Sequence, residues 1–215
     1  MTDTANSILR YVEGIFPKEV HTFRKWQGPI RYQIDGLSFE HMILLRNQAK
    51  SFAELTGVEI SEWHSPARSC KREAELSIVF ATDILTASQQ HKAVLKIHDE
   101  TEYQYRVRTE RLFRLGWIMQ MNWVGDRPRH AIHVLNSAAA QFSAHHVLTR
   151  LLFRTLLEVG YVDPTLRSVQ SISGDQISDL SNLDKLFLRA AYSSAVAHGM
   201  PIGAARAAIA ERMIL

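Results

Sequence analysis

Apolar residues recur with a helical period between positions 137 and 161, and this stretch organises the rest of the chain. The apolar positions are Leu148, Leu151, Leu152, Leu156 and Val159. Their steps of one, three and four place them on one face of an α-helix. Ser137 can accept a backbone N–H at the start, and Gly160 can adopt the left-handed conformation that ends many helices. The pattern therefore predicts a core helix with a defined stop.

Strand-like patterns occur between residues 30 and 135. Ile30, Tyr32 and Ile34 alternate with polar residues, which predicts a half-buried strand that ends at Asp35–Gly36. Residues 75–82 are almost continuously apolar, as expected for a central strand. The other predicted strands are 58–64 and a hairpin of 118–124 with 130–135 around the turn residues 125–128.

Helical patterns separate and follow these strands. They predict helices at 6–16, 38–55, about 83–97, 181–198 and 201–213. The segment 100–117 alternates like a strand but carries Glu/Arg pairs that suit a charged helix, and we favour a helix there. This order predicts one α+β domain with helices gathered at its C-terminal end, preceded by a helix and lead-in at 1–23.

Composition adds few constraints. The chain has 215 residues and a formal charge of +3, too small by itself to indicate nucleic acid or a membrane as partner. Cys70 is the only cysteine, which excludes an internal disulfide and fits a reducing compartment. The first residues lack the pattern of a signal peptide, and no run approaches the ~20 apolar residues of a spanning helix. We therefore expect a cytoplasmic protein that does not enter a membrane.

Several short motifs occur in an order that resembles a known family. They are K-W-Q-G-P-I-R-Y-Q-I-D-G at 25–36, L-T-G-V-E-I at 55–60, E-L-S-I-V-F at 75–80, E-V-G-Y at 158–161, S-I-S-G-D at 171–175, L-x-x-L-D-K-L-F-L-R-A-A-Y at 180–192 and H-G-M at 198–200. The chain is similar to a proteobacterial family of domains of unknown function, many described as lipoproteins, with distant similarity to zincin metallopeptidases. The resemblance implies a single zincin-like α+β domain at 24–215, with a mixed sheet packed on a core helix and a C-terminal helical subregion.

The same resemblance implies that metallopeptidase chemistry is missing. A zincin helix carries His-Glu-x-x-His, in which two histidines hold zinc and the glutamate activates water. Counted back from Gly160, the ligand positions are Phe153 and Leu157, and the base position is Arg154. Neither apolar side chain has a lone pair to donate, and a guanidinium cannot act as a base. We therefore expect a pseudoenzyme with no catalytic residues, no metal and no cofactor.

Other catalytic patterns are incomplete. His145 and His146 are adjacent and point in different directions on a helix, while His130 and His133 fall on opposite faces of a strand. Cys70 has basic neighbours that can lower a thiol pKa, but neither a base nor an oxyanion hole accompanies it. No Gly-x-Ser-x-Gly elbow or glycine-rich phosphate loop occurs. A hydrolase with an unrecognised site remains an alternative.

A polar row on the organising helix gives the main binding hypothesis. His146, Arg150, Arg154 and Glu158 follow one another at steps of four. One interpretation is a solvent-facing row of weak ion pairs. The other is a degenerate metallopeptidase cleft, in which His146, Arg150 and Arg154 accept an anionic ligand or an acidic peptide.

An arginine-rich segment, 106–130, supports the alternative of a nucleic-acid-binding or regulatory protein. It contains Arg106, Arg108, Arg111 and Arg114 with aromatic residues among them. Cations contact the phosphate backbone and aromatic rings stack on bases. A solvated helix face explains the same composition. The sequence does not decide between these interpretations, and it leaves the oligomeric state open.

Overall fold

The fold is known from a computed structural model that describes most of the chain. The described residues are 3–36, 38–63, 74–81, 117–124, 127–136, 144–157, 159–160, 165–166, 168–171 and 179–215. The helices among them are α1 (Asp3–Ile15), α2 (Phe39–Thr56), α3 (Ala144–Leu156), α4 (Asn182–Ala191) and α5 (Ile202–Ile214). The strands are β1 (Ile30–Asp35), β2 (Ile60–Glu62), β3 (Leu76–Ala81), β4 (Trp117–Val124) and β5 (Arg127–Asn136). The predicted helix at 83–97 and residues 100–116 lie outside this set.

The strands form one mixed sheet in the order β2-β1-β3-β5-β4. Strand β1 runs parallel to β2 and β3, β3 runs parallel to β5, and β4 pairs antiparallel with β5 as the predicted hairpin. The apolar strand β3 occupies the centre, as predicted from its composition. The mixture of helices and strands confirms the α+β class.

The chain divides into two compact units, which are described separately. The helical unit comprises Met1–Gly28, Asn47–Glu59 and Phe142–Leu215, and the sheet unit comprises Pro29–Arg46 and Ile60–Gln141. Helix α1 belongs to the same unit as α4 and α5 and packs on both. The division at residue 23 that the sequence suggested stays a prediction. No helix in the described parts of the chain is long and apolar enough to cross a membrane.

An aromatic cluster forms the core of the helical unit. The ring of Phe153 on α3 lies 6.0 Å from that of Phe187 on α4 and 6.3 Å from that of Phe52 on α2. Tyr11 on α1 approaches Phe187 to 5.4 Å between centroids. Burial of large aromatic side chains contributes strongly to stability. The apolar face predicted for α1 is buried here: Ile8, Tyr11, Val12 and Ile15.

Helix α3 buries the apolar face that its period predicted, but it ends earlier than expected. Its last residue is Leu156, because Leu157 forms a bridge with Lys25 and the Leu156 carbonyl accepts from Trp26 N at 2.8 Å. Gly160 has no positive φ, so the prediction of a left-handed stop there is wrong. Its N–H instead donates to the Ile15 carbonyl at 2.6 Å. The predicted cap Ser137 lies outside the described residues.

Helix α4 begins as predicted and ends sooner. Ser181 caps it in a capping box, in which its hydroxyl accepts from Asp184 N and the Asp184 carboxylate accepts from Ser181 N. The helix ends at Ala191 instead of near His198. The Ser193 hydroxyl donates to the Ala190 carbonyl at 2.7 Å, a side-chain hydrogen bond that competes with helix continuation.

The sheet unit follows the predicted alternation. In β1, Ile30 and Tyr32 are buried while Gln33 is exposed and donates to Ser77 Oγ at 2.9 Å. Gly36 ends this strand with φ of 75°, and a Cβ there would collide with the Phe80 carbonyl oxygen. Only glycine fits such a position without strain, because it lacks the Cβ.

Candidate functional site

The polar row of α3 is not a solvent-facing row. His146 is 4% exposed and Arg150 is 8% exposed, whereas Arg154 is half-buried. The solvent-facing interpretation is therefore wrong for His146 and Arg150. A direct role of these two residues as ligand donors stays a prediction. Among the described members of the row, Arg154 has the greatest access to solvent, and Glu158 lies outside the described residues.

Arg154 pairs with a glutamine that the sequence gave no reason to select. Its Nε donates to Gln170 Oε1 at 3.2 Å. The Gln170 side chain is fully buried at 0% exposure, and its Nε2 has no hydrogen-bond partner among the described residues. An amide nitrogen is a donor only, so a group that completes this pair must bring an acceptor.

The turn at 168–171 fixes the position of Gln170. Its backbone N–H donates to Ser168 Oγ at 3.0 Å, and Ser171 N donates to the Ser168 carbonyl at 3.0 Å. The Ser171 hydroxyl in turn donates to the Leu166 carbonyl. Gln170 is therefore presented by an ordered turn, and Arg154 by a buried helix.

A buried carboxylate anchors this turn. The donors to Asp184 are Tyr11 Oη at 2.6 Å, Ser168 Oγ at 2.5 Å, Val169 N at 3.0 Å, and Ser181 N and Oγ, both at 2.9 Å. Burial, followed by the negative charge of Asp184, raises the pKa of the Tyr11 phenol well above its usual range. The spacing Ser181-x-x-Asp184 signals a cap in the sequence, but nothing local to it indicates Tyr11 or Ser168 as partners. We call these residues the Asp184 network.

A second set of polar contacts ties the ends of two helices together. Lys25 Nζ donates to the carbonyl of Ala191, the last residue of α4, at 3.0 Å and to that of Val196 at 2.6 Å. The Tyr192 hydroxyl donates to the Leu156 carbonyl at 2.8 Å, at the end of α3. Burial lowers the pKa of the Lys25 amine and raises that of the Tyr192 phenol. Because these groups satisfy helix carbonyls, we assign them a structural role.

Phe153 and Leu157, which the sequence resemblance places at ligand positions, lie in the core. Phe153 is 0% exposed within the aromatic cluster, and Leu157 is 1% exposed where it pairs with Lys25. Substituting a polar ligand at either position would place it among apolar side chains, where an unpaired polar group is costly. The packing therefore suits apolar residues at both positions.

The other sequence candidates divide between described and undescribed parts. His145 lies 3.1 Å from the exposed Asp179 carboxylate, and His133 is buried in β5. Across the described ranges, no three His, Cys, Asp or Glu side chains are grouped to hold a metal ion. The sequence candidates that lie outside these ranges are Cys70, Arg106, Arg108, Arg111 and Arg114. The nucleic-acid hypothesis for the arginines stays a prediction.

Two groups that donate hydrogen bonds, the Arg154 guanidinium and the Gln170 amide, therefore lie side by side in the helical unit. The Arg154 guanidinium is planar and cationic, and the adjacent Gln170 amide supplies a further N–H. Guanidinium and amide N–H groups can donate hydrogen bonds to an anion, and those from a charged group are the stronger ones. No protein-family model matches the chain, and no characterised protein or solved structure shows significant similarity to it.

Proposed function

We propose that this chain is a non-catalytic, zincin-like binding protein that accepts a carboxylate of an acidic peptide at Arg154 and Gln170. The observation that carries the proposal is the buried Nε2 of Gln170, which lacks an acceptor among the described residues and lies beside a guanidinium. The order of the family-like motifs supports the zincin-like assignment. The apolar core residues Phe153 and Leu157 support the absence of metallopeptidase chemistry.

The energetics favour an anionic occupant. A buried donor without an acceptor costs about 1–3 kcal/mol, and a ligand oxygen that reaches it would recover much of this cost. A neutral carbonyl would satisfy the Gln170 amide but gain less from the guanidinium. A carboxylate has two oxygens, so one can accept from Gln170 and the other from Arg154. This geometry makes a peptide with Glu or Asp side chains the best match.

Hydrolysis by neighbouring groups is a weaker assignment. The hydroxyls nearest to Gln170 in sequence are those of Ser171, which donates to the Leu166 carbonyl, and Ser168, which donates to Asp184. Asp184 is itself buried and already accepts from several donors. A nucleophile needs a base that is available to remove its proton. The Asp184 carboxylate is already occupied by its other donors, so the network does not suit this role.

A peptide-binding assay tests the proposal. The probe is a fluorescent hexaglutamate peptide with blocked ends, and hexaglutamine is the neutral control. We expect hexaglutamate to bind at low salt and binding to weaken as salt screens the charges. Arg154→Gln should weaken it by at least about tenfold, equivalent to ~1.4 kcal/mol. Arg189→Gln removes an exposed arginine of α4 and should leave binding unchanged.

Two outcomes contradict the proposal. One is wild-type protein that does not distinguish hexaglutamate from hexaglutamine. The other is a folded Arg154→Gln variant that binds hexaglutamate as tightly as wild type. A labelled single-stranded oligonucleotide included as a third probe separates the alternatives. Binding of the oligonucleotide without binding of the peptide would favour the arginines at 106–114 instead.

A further inference from the structure

Two serine hydroxyls bind the Asp184 carboxylate in the same way but serve different parts of the helical unit. Ser181 Oγ donates to Asp184 Oδ2 at 2.9 Å and accepts from Asp184 N at 3.1 Å, as the cap of α4. Ser168 Oγ donates to Asp184 Oδ1 at 2.5 Å and accepts from Gln170 N at 3.0 Å. The first hydroxyl closes a helix cap, whereas the second joins the Asp184 network to Gln170.

The two hydrogen bonds of Ser168 fix the orientation of its hydroxyl. A hydroxyl has one proton to donate and lone pairs with which to accept. The Asp184 carboxylate takes the proton in a short, charge-assisted hydrogen bond, so a lone pair is left for the Gln170 N–H. Donation to the carboxylate also polarises the oxygen and strengthens it as an acceptor. All three residues are buried, so water has little access to these bonds.

Neighbouring hydrogen bonds hold the backbone on both sides of Gln170. Val169 N donates to Asp184 Oδ2 at 3.0 Å, so the second carboxylate oxygen fixes the residue before Gln170. Ser171 N donates to the Ser168 carbonyl at 3.0 Å and fixes the residue after it. The backbone conformation limits which rotamers a side chain can adopt. The same bonds that order the turn therefore restrict the directions in which the Gln170 amide can point.

We propose that Ser168 is a positioning residue of the binding site, whose hydroxyl, held by Asp184, aims the Gln170 amide at the ligand carboxylate. This inference rests on the proposed function, in which Gln170 and Arg154 hold that carboxylate. Ser168 acts through the backbone of Gln170, to which its Oγ is bonded. Ser181 has the same two kinds of bond within the same network, but its hydroxyl serves α4. The two serines therefore differ in what they position.

Matched substitutions of the two serines test this assignment with the hexaglutamate probe. Ser168→Ala and Ser181→Ala each remove one hydroxyl donor to Asp184 and one acceptor of a backbone N–H. Ser168→Ala should weaken hexaglutamate binding at least about fivefold, the factor that corresponds to one lost hydrogen bond. Ser181→Ala should leave the affinity within about twofold of wild type, because its hydroxyl does not hold the turn.

Hydrogen exchange of the Gln170 backbone amide is a second readout, and it needs no ligand. This N–H is buried and bonded to Ser168 Oγ, so it should exchange slowly in wild type. Ser168→Ala removes the acceptor and should speed the exchange at least about tenfold relative to Ser181→Ala. In protein labelled with isotopic glutamine, the NMR signal of this amide is identified by its loss in Gln170→Met.

The two readouts distinguish failure of this inference from failure of the proposed function. If wild type does not bind hexaglutamate, the proposed function fails, and amide exchange alone decides whether Ser168 holds Gln170. Equal exchange in the two alanine variants would overturn the positioning role, and so would a Ser168→Ala variant that binds hexaglutamate as tightly as wild type. Ser168→Cys fills similar space with a weak donor and acceptor, and it replaces Ser168→Ala if that variant does not fold. If neither variant folds, Ser168 is a structural residue and the proposal is wrong.

Discussion

Asp184 and Gln170 are both fully buried polar side chains, yet their surroundings differ. Asp184 accepts hydrogen bonds from Tyr11, Ser168, Val169 and Ser181. The Gln170 amide accepts one bond from Arg154, while its nitrogen has no acceptor within the described ranges. The Asp184 network also holds the turn that carries Gln170. A satisfied carboxylate on α4 and an unsatisfied amide in the turn it holds are therefore neighbours.

We infer from this difference that Asp184 contributes to stability and Gln170 to ligand binding. A buried polar group with all its partners contributes to a unique fold, whereas one left without a partner lowers the free energy of unfolding. Asp184 therefore fixes the position of the turn, and Gln170 supplies the amide N–H that is left without an acceptor. If this assignment is correct, changes at the two residues should have opposite consequences.

The largest effect is expected at Asp184. Asp184→Leu leaves several buried donors without an acceptor, so the free energy of unfolding should fall by about 4 kcal/mol. Tyr11→Phe removes one of these donors and should cost only ~1 kcal/mol. Urea unfolding monitored by circular dichroism measures both. If Asp184→Leu cost no more than Tyr11→Phe, the carboxylate would not organise the network.

High pH should give the next largest effect. The pKa values of Tyr11 and Tyr192 are raised in the folded protein above the usual 10.0. Above pH 10 the unfolded chain releases these protons while the folded chain keeps them. Stability is therefore present below pH 10 and is lost above it, by up to about 1.4 kcal/mol per pH unit for each tyrosine.

Single variants identify the source of this loss. Tyr11→Phe and Tyr192→Phe should each make the decline between pH 10 and pH 11 less steep, as measured by urea unfolding. Lys25 has a lowered pKa and acts in the opposite direction below 10.5, but it is common to all three proteins. Its effect therefore cancels in the comparison. If Tyr11→Phe left the slope of the unfolding free energy against pH unchanged, the Asp184 network would not be what keeps the Tyr11 phenol protonated.

The smallest change in stability is expected at Gln170. Gln170→Met has a similar shape and removes both the unsatisfied amide nitrogen and the acceptor of Arg154. The two effects oppose each other, so unfolding should shift by less than ~1 kcal/mol. Binding of the hexaglutamate probe should nevertheless be lost. Loss of more than 3 kcal/mol of stability would make Gln170 a structural residue like Asp184.

The sequence was most informative where a local period decides burial. The face of α1, the alternation in β1 and the apolar strand β3 follow directly from the spacing of apolar residues. The capping box of α4 was visible as Ser181 followed by Asp184 three residues later. In each case, the interactions that fix the element come from residues within a few positions along the chain.

Contacts between distant segments occur at the ends of α3 and α4. Leu157 leaves α3 to pair with Lys25, more than a hundred residues away, and the Lys25 amine also donates to the carbonyl of Ala191, where α4 ends. The Tyr11–Asp184 hydrogen bond spans 173 positions, and the Arg154–Gln170 bond joins a helix to a separate turn. No local pattern encodes such partners, so Gln170 could not be selected from the sequence.

The sequence by itself determined the α+β class and the faces of several helices and strands that are buried. The tertiary structure decided where α3 and α4 stop, which members of the polar row are buried, and that Asp184 and Gln170 face such different surroundings. The physical reason is the range of the interactions. Apolar periodicity acts through neighbours in the chain, whereas a buried hydrogen bond depends on where distant segments meet.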